Sequence, residues 1–324
     1  MKKFQELIND AINRRSSDLF ILPYQDKYRI LLCVKGEKVK VDELSMENGQ
    51  QMIAYFKYRG NMTVSEHRRP QIGALKWQTG NSMIDLRLST VGNYRGQESL
   101  VIRFIYSLVN LDYRVIMPEQ WQRISRLTHR RGLILFAGPM GSGKTTTMYR
   151  LAKELAETEL VMTIEDPVEI EEANFLQLQV NQKAGMEYQE LLKVGLRHRP
   201  DDFIIGEIRD AETANLAVQA ALSGHLVLAT VHAVNVCGVI ARMRQLGVEQ
   251  YYLKQVLTGV CYQRLLPLTN GDSLLFDLLS GEELSLAVDQ EETRGMGNEW
   301  LSQLEKLFQE GKISLANYKK YQNG

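Results

Sequence analysis

The sequence predicts an α/β protein with a small α+β domain in its first half and a wound β-α-β domain in its second half. Continuous apolar runs in the second half are typical of strands buried on both faces of a parallel sheet. Helical stretches separate these runs, as crossover helices separate parallel strands. The first half instead shows short β-rich runs with two helical stretches. The second-half runs are 133–137, 160–164, 203–205 and 226–231.

Length and charge fit a globular chain of roughly two domains, because 324 residues can bury a substantial core. The chain has 39 basic and 39 acidic residues, which argues against a protein that coats nucleic acid. The charge is uneven, with 22 basic and 13 acidic residues in 1–131 and 17 basic and 26 acidic residues in 132–324. This asymmetry indicates that the two regions attract each other or an external partner. The alternative is an ordinary scatter of surface charges without a functional role.

Cysteine usage and hydropathy indicate the cellular compartment of the protein. Cys33, Cys237 and Cys261 are far apart and lack the spacing of metal ligands, so we expect reduced thiols without a disulfide framework or a zinc site. The amino terminus lacks the apolar segment of an export signal, and no apolar stretch reaches the ~18 residues of a membrane span. These features predict a cytoplasmic chain that does not cross a membrane.

The first half combines helical and strand signals. Residues 4–15 have the periodicity of an amphipathic helix, and 45–59 also have helical character. Four short runs predict strands. They are 19–22, 28–34, 83–88 and 100–105. We therefore predict an α+β domain over 1–106, followed by a linker over 107–118.

The second domain is predicted to span 119–324. Its crossover helices are expected at 144–157, 187–198 and 211–223. Pro200 stops the second of these, while Asp210 caps the start of the third and Gly224 follows its end.

The last part of the chain, from about residue 265 to 324, is predicted to be helical. Residues 298–310 form one amphipathic helix that ends at Gly311. Its apolar stripe serves either the core or a partner, and we favour the core. The stripe consists of Trp300, Leu301, Leu304, Leu307 and Phe308.

A glycine-rich motif, G-x-x-x-x-G-K-[ST], follows the first apolar run and opens a predicted helix. Its glycines let backbone N–H groups face phosphate oxygens, Lys144 reaches the β- and γ-phosphates, and Thr145 binds Mg²⁺. This strand–loop–helix context predicts a site for a nucleoside triphosphate rather than an ordinary turn. The predicted phosphate-binding residues are Gly138, Pro139, Met140, Gly141, Ser142, Gly143, Lys144, Thr145 and Thr146.

Polar residues follow the other apolar runs of this half. Glu207 comes after 203–205, where a nucleotide enzyme needs a carboxylate for the metal shell or the attacking water. Glu165 and Asp166 come after 160–164, and His232 follows 226–231. Since open α/β sheets bind ligands at the carboxyl ends of their strands, these groups predict one site. Singly, the acids could cap a helix or turn, and His225 or His232 could be a core histidine.

Three further strings resemble the Asp box, Walker B and His box of the secretion ATPase superfamily. They are 163–169 (TIEDPVE), 206–214 (GEIRDAETA) and 220–232 (AALSGHLVLATVH). Together with the glycine-rich motif, the four motifs stand in the family's order. The chain therefore resembles type II secretion and type IV pilus assembly ATPases, and its short length resembles the competence pseudopilus members. The resemblance implies a PAS-like α+β domain followed by a RecA-like P-loop ATPase domain.

The same resemblance implies roles for particular residues. Glu207 would activate water, Glu165 would assist at the γ-phosphate and at Mg²⁺, and His225 and His232 would sense the nucleotide. Segments 84–87 and 101–103 resemble those that bring arginines toward the nucleotide, which makes Arg87 and Arg103 candidates; alternatively, both form salt bridges on a strand surface. Ser17–Pro23 resembles a family string in which Phe20 stands in place of a histidine.

The resemblance also implies partners and a function. ATP and Mg²⁺ would be the cofactors; zinc is not expected, because the four-cysteine module of many relatives is absent after Leu265. The chain would form a hexamer that moves a polytopic membrane platform protein from the inner face of the membrane. Pilin-like proteins would be affected indirectly, and DNA would not be bound directly. We expect a competence pseudopilus motor for DNA uptake; the alternatives are a secretion or pilus retraction motor, a nucleotide-gated scaffold and a helicase-like protein.

Overall fold

The computed structural model describes residues 2–34, 37–80, 82–106, 114–181, 184–269, 271–290 and 295–324. It divides into two compact units, Met1–Leu111 and Asp112–Gly324. Most of the predicted linker, residues 107–113, lies outside the described residues. Among the helices that are described, none is both long and apolar enough to cross a membrane.

Unit 1 is a six-stranded antiparallel sheet with two helices on one face. The strand order is β3-β2-β1-β6-β5-β4. The inward side chains of alternate strand positions pack with α1 and α2 in one core, which includes Leu19, Phe56 and Ile102. The elements are α1 (Lys2–Asn13), β1 (Asp18–Tyr24), β2 (Lys27–Val34), β3 (Glu37–Ser45), α2 (Met46–Arg59), β4 (Gln71–Thr79), β5 (Ser82–Gly92) and β6 (Glu98–Ile105).

Unit 2 is built on an eight-stranded mixed sheet. Its first elements are β7 (Arg114–Val115), α3 (Pro118–Thr128), β8 (Gly132–Ala137), α4 (Lys144–Leu155), β9 (Val161–Glu165), β10 (Phe175–Gln179), α5 (Tyr188–His198) and β11 (Asp202–Ile205). They are followed by α6 (Ala211–Leu222), β12 (Leu226–Thr230), α7 (Val236–Gln245), α8 (Gln250–Val256), β13 (Leu257–Leu268), β14 (Gly271–Ser280), α9 (Gly281–Gln290), α10 (Asn298–Gln309) and α11 (Leu315–Tyr321). The strand order is β10-β9-β11-β12-β8-β13-β14-β7.

The structure confirms the predicted α/β class and its parallel strands. Strands β10, β9, β11, β12 and β8 pair in parallel. Every residue of β8, β9, β11 and β12 is buried, as expected of strands covered on both faces. The Asp210 carboxylate caps α6 by accepting a hydrogen bond from Thr213 N at 2.8 Å.

The prediction of a helical region from about residue 265 was wrong for its first part. Strands β13 and β14 form an antiparallel pair that extends the sheet beyond β8. The run Leu274–Leu279 is buried throughout, so it lacks the alternation that would identify a strand in the sequence. Helices begin only at Gly281. In α10, Trp300, Leu304 and Leu307 are buried, whereas Leu301 is 40% exposed.

Candidate active site

The glycine-rich loop connects the end of β8 to the start of α4. Gly143 precedes the helix with φ of 83°, a left-handed conformation that favours glycine. No side chain caps this helix, so the N–H groups of its first turn remain available to an anion. The loop is closely packed beneath, because a Cβ on Gly138 would lie 2.4 Å from the Gln263 carbonyl oxygen. The local geometry therefore fits the phosphate-binding loop that the motif predicts.

The Lys144 ammonium lies inside this loop. Its Nζ donates to the Gly138 carbonyl at 2.8 Å and to the Pro139 carbonyl at 3.0 Å. Burial lowers the pKa of Lys144, and the charges of Glu207 and Glu169 oppose that shift. The two carboxylates are thus electrostatic neighbours of the ammonium, although they come from different strands.

Three parallel strands bring these groups together. Ile205 pairs with Ile164 and with Ala229, so the residues that follow β9, β11 and β12 lie side by side. Thr230 pairs with Phe136 near the end of β8, beside the glycine-rich loop. Glu165, Glu207, His232 and the loop consequently share the carboxyl edge of the sheet, as the sequence predicted.

Both carboxylate oxygens of Glu207 have side-chain partners at this edge. Arg209 Nε donates to Glu207 Oε2 at 2.7 Å, and His232 Nε2 lies 2.9 Å from Glu207 Oε1. The side chain of Glu207 is 17% exposed. Arg209 also lies 3.8 Å from Asp166 Oδ2. A carboxylate held through both oxygens has a fixed orientation, which is what positioning a water molecule requires.

Glu165 is buried more deeply than Glu207. Its Oε1 accepts hydrogen bonds from Tyr149 Oη and, at 2.8 Å, from Thr163 Oγ1. Burial raises the pKa of Glu165, the two hydrogen bonds oppose that shift, and the charge of Glu169 adds to it. Glu165 is 3% exposed and its Oε1 is taken up by Tyr149 and Thr163, so the geometry favours a supporting role for this residue.

Glu169 is a site residue that the sequence reasoning did not select. Thr145 Oγ1 donates to Glu169 Oε2 at 3.2 Å, which places a carboxylate beside the hydroxyl expected to bind Mg²⁺. Mg²⁺ is typically held by one or two carboxylates together with substrate phosphates, so Thr145 and Glu169 fit this ion. Glu169 ends the Asp-box string, and its position in that string was the available signal. Among the residues described, no three His, Cys, Asp or Glu side chains form a metal cluster on their own.

A cavity of about 240 Å³ opens beside Glu207. Its lining includes Asp166, Tyr188, Glu207 and Arg209. Burial raises the pKa of Tyr188, which keeps the phenol protonated and able to donate a hydrogen bond. The carboxylate of Glu207 therefore borders a space that is large enough for water molecules.

The structure does not bring His225 into this site. His225 precedes β12 and therefore lies at the amino edge of the sheet, opposite the glycine-rich loop. Its Nδ1 is 2.9 Å from the Pro200 carbonyl oxygen, and its ring packs edge-on against Phe203 with centroids 5.2 Å apart. The expectation that His225 contacts the nucleotide of its own chain was therefore wrong, because the five residues of β12 separate His225 from the edge that carries the loop.

Arg87 and Arg103 lie in unit 1. They are cross-strand partners on β5 and β6, so both side chains occupy the same face of the sheet. Arg103 Nε donates to Asp18 Oδ1 at 2.9 Å while the Arg103 side chain remains 49% exposed. This ion pair matches the strand-surface alternative for Arg103.

The comparisons with known proteins agree with this architecture. The profile of the family "Type II/IV secretion system protein" matches residues 1–290, and the chain belongs to that family. Among curated relatives, "Competence protein ComGA" of Streptococcus pneumoniae is 41% identical over 96% of this chain and 94% of that protein. "Competence protein ComGA" of Bacillus subtilis is 38% identical over 82% of this chain and 76% of that protein.

Solved structures support the fold. The X-ray structure of the Legionella pneumophila ATPase DotB has a TM-score of 0.76 at 20% identity, covering 97% of this chain and 93% of that one. The pilus retraction motor PilT with bound ADP has a TM-score of 0.68 at 23% identity, covering 98% of this chain and 96% of that one. The chain therefore has the fold of these two proteins.

Proposed function

We propose that this protein binds ATP with Mg²⁺, hydrolyses it, and as a homohexamer powers the assembly of a competence pseudopilus for DNA uptake. The observation that carries the chemistry is the convergence on one sheet edge of Lys144, Thr145 and the carboxylates of Glu169 and Glu207. A phosphate-binding loop beside a fixed carboxylate can support attack of water on a γ-phosphate.

Each residue has a distinct role in this proposal. The loop N–H groups and Lys144 hold the phosphates, with the phosphate oxygens replacing the Gly138 and Pro139 carbonyls as acceptors for the ammonium. Thr145 and Glu169 would hold Mg²⁺, which neutralises charge on the β- and γ-phosphates. Glu207 orients the attacking water, and Arg209 and His232 set the position of its carboxylate. Glu165 supports this edge from within the core.

The competence assignment is supported by the names of two relatives that the chain matches over most of its length. The same fold also serves a pilus retraction motor, so the direction of movement is part of the proposal. On this proposal the protein acts in the cytoplasm on the inner face of the membrane. It moves a polytopic platform protein there, affects pilin-like proteins indirectly and does not contact DNA.

Deletion of the gene tests the cellular role. We expect loss of transformation with DNA and loss of pseudopilus fibres, both restored by the wild-type gene and not by a Lys144→Ala gene. Normal transformation in the deletion strain with a defect in protein secretion or fibre retraction would favour the other motors. Turnover stimulated by single-stranded DNA would favour the helicase-like alternative.

Substitution of the loop lysine tests the chemistry. Lys144→Ala should abolish productive ATP binding, because it removes the cation that contacts the β- and γ-phosphates. The matched control is Lys153→Ala on the same helix, where the lysine pairs with Glu172 at 3.0 Å. Purified proteins are compared by nucleotide affinity and phosphate release. ATP binding without measurable hydrolysis in the wild type would indicate a nucleotide-gated scaffold.

The role of the unit 1 arginines is tested by mixing subunits. If Arg87 or Arg103 enters a nucleotide cleft of a neighbour, the Arg→Ala variants should lose roughly 10³-fold in turnover while keeping ATP affinity. Mixed with Lys144→Ala subunits, they should regain activity, because each variant supplies what the other lacks. Unchanged turnover in both variants would mean that the arginines only stabilise the sheet. Hexamer size measured across a salt series tests whether the opposite charges of the two halves support assembly.

A further inference from the structure

A glutamine of β13 lies directly beneath the phosphate-binding loop. The last paired residues of β8 and β13 are Ala137 and Tyr262, so Gln263 stands beside the point where the loop begins. Gln263 is 0% exposed. Its Nε2 donates to the Ser142 carbonyl oxygen at 2.6 Å.

We propose that Gln263 is a positioning residue that sets the loop's phosphate-binding geometry by holding the Ser142 carbonyl. This inference deepens the proposed nucleotide site and rests on it. In a planar trans peptide the C=O of Ser142 and the N–H of Gly143 point in opposite directions. Holding the carbonyl toward β13 therefore turns the Gly143 N–H away from the core, toward the side on which the motif binds phosphate.

The packing around Gln263 supports a positional role. A Cβ on Gly138 would lie 2.4 Å from the Gln263 carbonyl oxygen and 2.7 Å from Ser142 Oγ. A Cβ on Gly143 would lie 3.4 Å from Gln263 Nε2. Both ends of the loop thus lie against this single residue, and at Gly138 only glycine permits so close an approach.

Two buried polar atoms at this contact also support a positioning role for Gln263. In the part of the chain that the structure describes, Gln263 Oε1 and Ser142 Oγ are buried and have no hydrogen-bond partner. A buried amide that is only half satisfied costs stability compared with an apolar side chain of the same size. A purely structural role would therefore be served as well by methionine, and the amide is explained by its bond to the loop.

The test compares Gln263→Met with Thr258→Val. Methionine has a similar volume and cannot donate a hydrogen bond. Thr258 lies on the same strand and donates to the Leu133 carbonyl at 3.3 Å, far from the loop, so Thr258→Val removes a comparable bond without touching the site. Gln263→Leu is the second variant, because it also lacks the donor and puts no ionisable group in the buried position.

Affinity for ADP and for a slowly hydrolysed ATP analogue is measured by calorimetry, together with thermal unfolding. We expect both Gln263 variants to bind about five- to tenfold more weakly, the effect of one lost hydrogen bond, and Thr258→Val to bind as the wild type does. The KM for ATP should rise by the same factor while kcat changes by less than about twofold, because the loop holds substrate and transition state alike.

The outcomes separate this inference from the proposed function. A wild-type chain that binds no adenine nucleotide overturns both. Wild-type affinity in Gln263→Met overturns the positioning role alone. Equal losses in Gln263→Met and Thr258→Val, in step with lower unfolding temperatures, would also overturn it, since the effect would then come from the strand as a whole.

Discussion

The two edges of the parallel sheet in unit 2 carry similar residues and differ in how these are used. At the carboxyl edge, Lys144 lies in the glycine-rich loop and Glu207 lines a cavity. At the amino edge, Arg131 Nη1 donates to Asp202 Oδ1 at 3.1 Å, and Arg131 Nη2 lies 3.7 Å from Glu159 Oε1. The first arrangement faces open space, and the second ties together the starts of three strands.

Each edge also contains a buried carboxyl group with a raised pKa. Burial is the largest cause for both Glu165 and Asp202. A perturbed pKa therefore does not by itself distinguish a catalytic edge from a structural one. The difference lies in the surroundings: a loop with free N–H groups at one edge, and a closed ion-pair network at the other.

The largest expected effect comes from exchanging a carboxylate for an amide at each edge. Glu207→Gln should lower turnover by at least ~100-fold and preserve ATP binding, because the carboxylate that orients water is lost. Asp202→Asn should leave turnover within about twofold. The control at an exposed position is Glu190→Gln on α5, where the glutamate pairs with Lys193 on its own helix.

Steady-state phosphate release and equilibrium nucleotide binding decide this comparison. Normal hydrolysis by Glu207→Gln would transfer the catalytic assignment to Glu165 or Glu169. A large loss in Asp202→Asn would show that the two edges are not functionally separate.

The sequence predicted this carboxyl edge well because its residues follow strand signals and belong to local motifs. Glu207 and His232 each come directly after a continuous apolar run, and parallel strands place such positions side by side. His225 was misplaced because it belongs to the same string as His232 while standing at the other end of the strand. A sequence motif that contains a whole strand has residues at both edges of the sheet. The position of that strand must be known before each motif residue can be assigned to one edge.

Other features depended on contacts between distant residues. The bond from Gln263 to Ser142 joins positions 121 residues apart, so no local pattern could indicate it. Strands β13 and β14 were missed because helices cover both of their faces and remove the alternation. The edge strand β3 is mostly exposed and carries little apolar signal.

A smaller effect is expected from the two histidines. His232→Ala should lower turnover roughly tenfold, because it frees one oxygen of Glu207 from its fixed orientation. His225→Ala should leave turnover within about twofold and lower the free energy of unfolding by about 1–2 kcal/mol, through the lost contacts with Pro200 and Phe203. Kinetics and chemical denaturation of both variants provide the measurements. A turnover loss in His225→Ala that equals that of His232→Ala would place His225 in a site built from a neighbouring subunit.

The smallest expected effect is a pH-dependent change in the free energy of unfolding, and it comes from the amino edge. Burial, a hydrogen bond with Glu159 and the Glu159 charge raise the pKa of Asp202 to about 8, while Arg131 opposes the shift. Asp201 also faces this group, and Leu160 N donates to Asp201 Oδ2 at 2.9 Å. His225, on the neighbouring strand start, contacts Phe203 and the Pro200 carbonyl rather than the carboxyl pair. Among the described residues, Asp202 Oδ2 has no hydrogen-bond partner, so no N–H group holds this oxygen in its ionised form.

The sign of the pH dependence follows from this shift. The folded chain retains a proton on the Asp202–Glu159 pair that the unfolded chain loses near pH 4, so folding becomes less favourable as the pH rises from about 4 to about 8. The free energy of unfolding falls by at most about 1.4 kcal/mol per pH unit, and this fall levels off above the pKa of the folded state.

Asp202→Asn should remove this pH dependence of stability, because an amide donates to Glu159 and accepts from Arg131 at every pH. The variant should therefore be more stable than the wild type at pH 9 and similar at pH 5, as measured by urea denaturation at both values. If Asp202 is instead ionised and paired with Arg131, the amide would weaken the fold most at high pH, and the two edges would differ in charge state as well as in geometry.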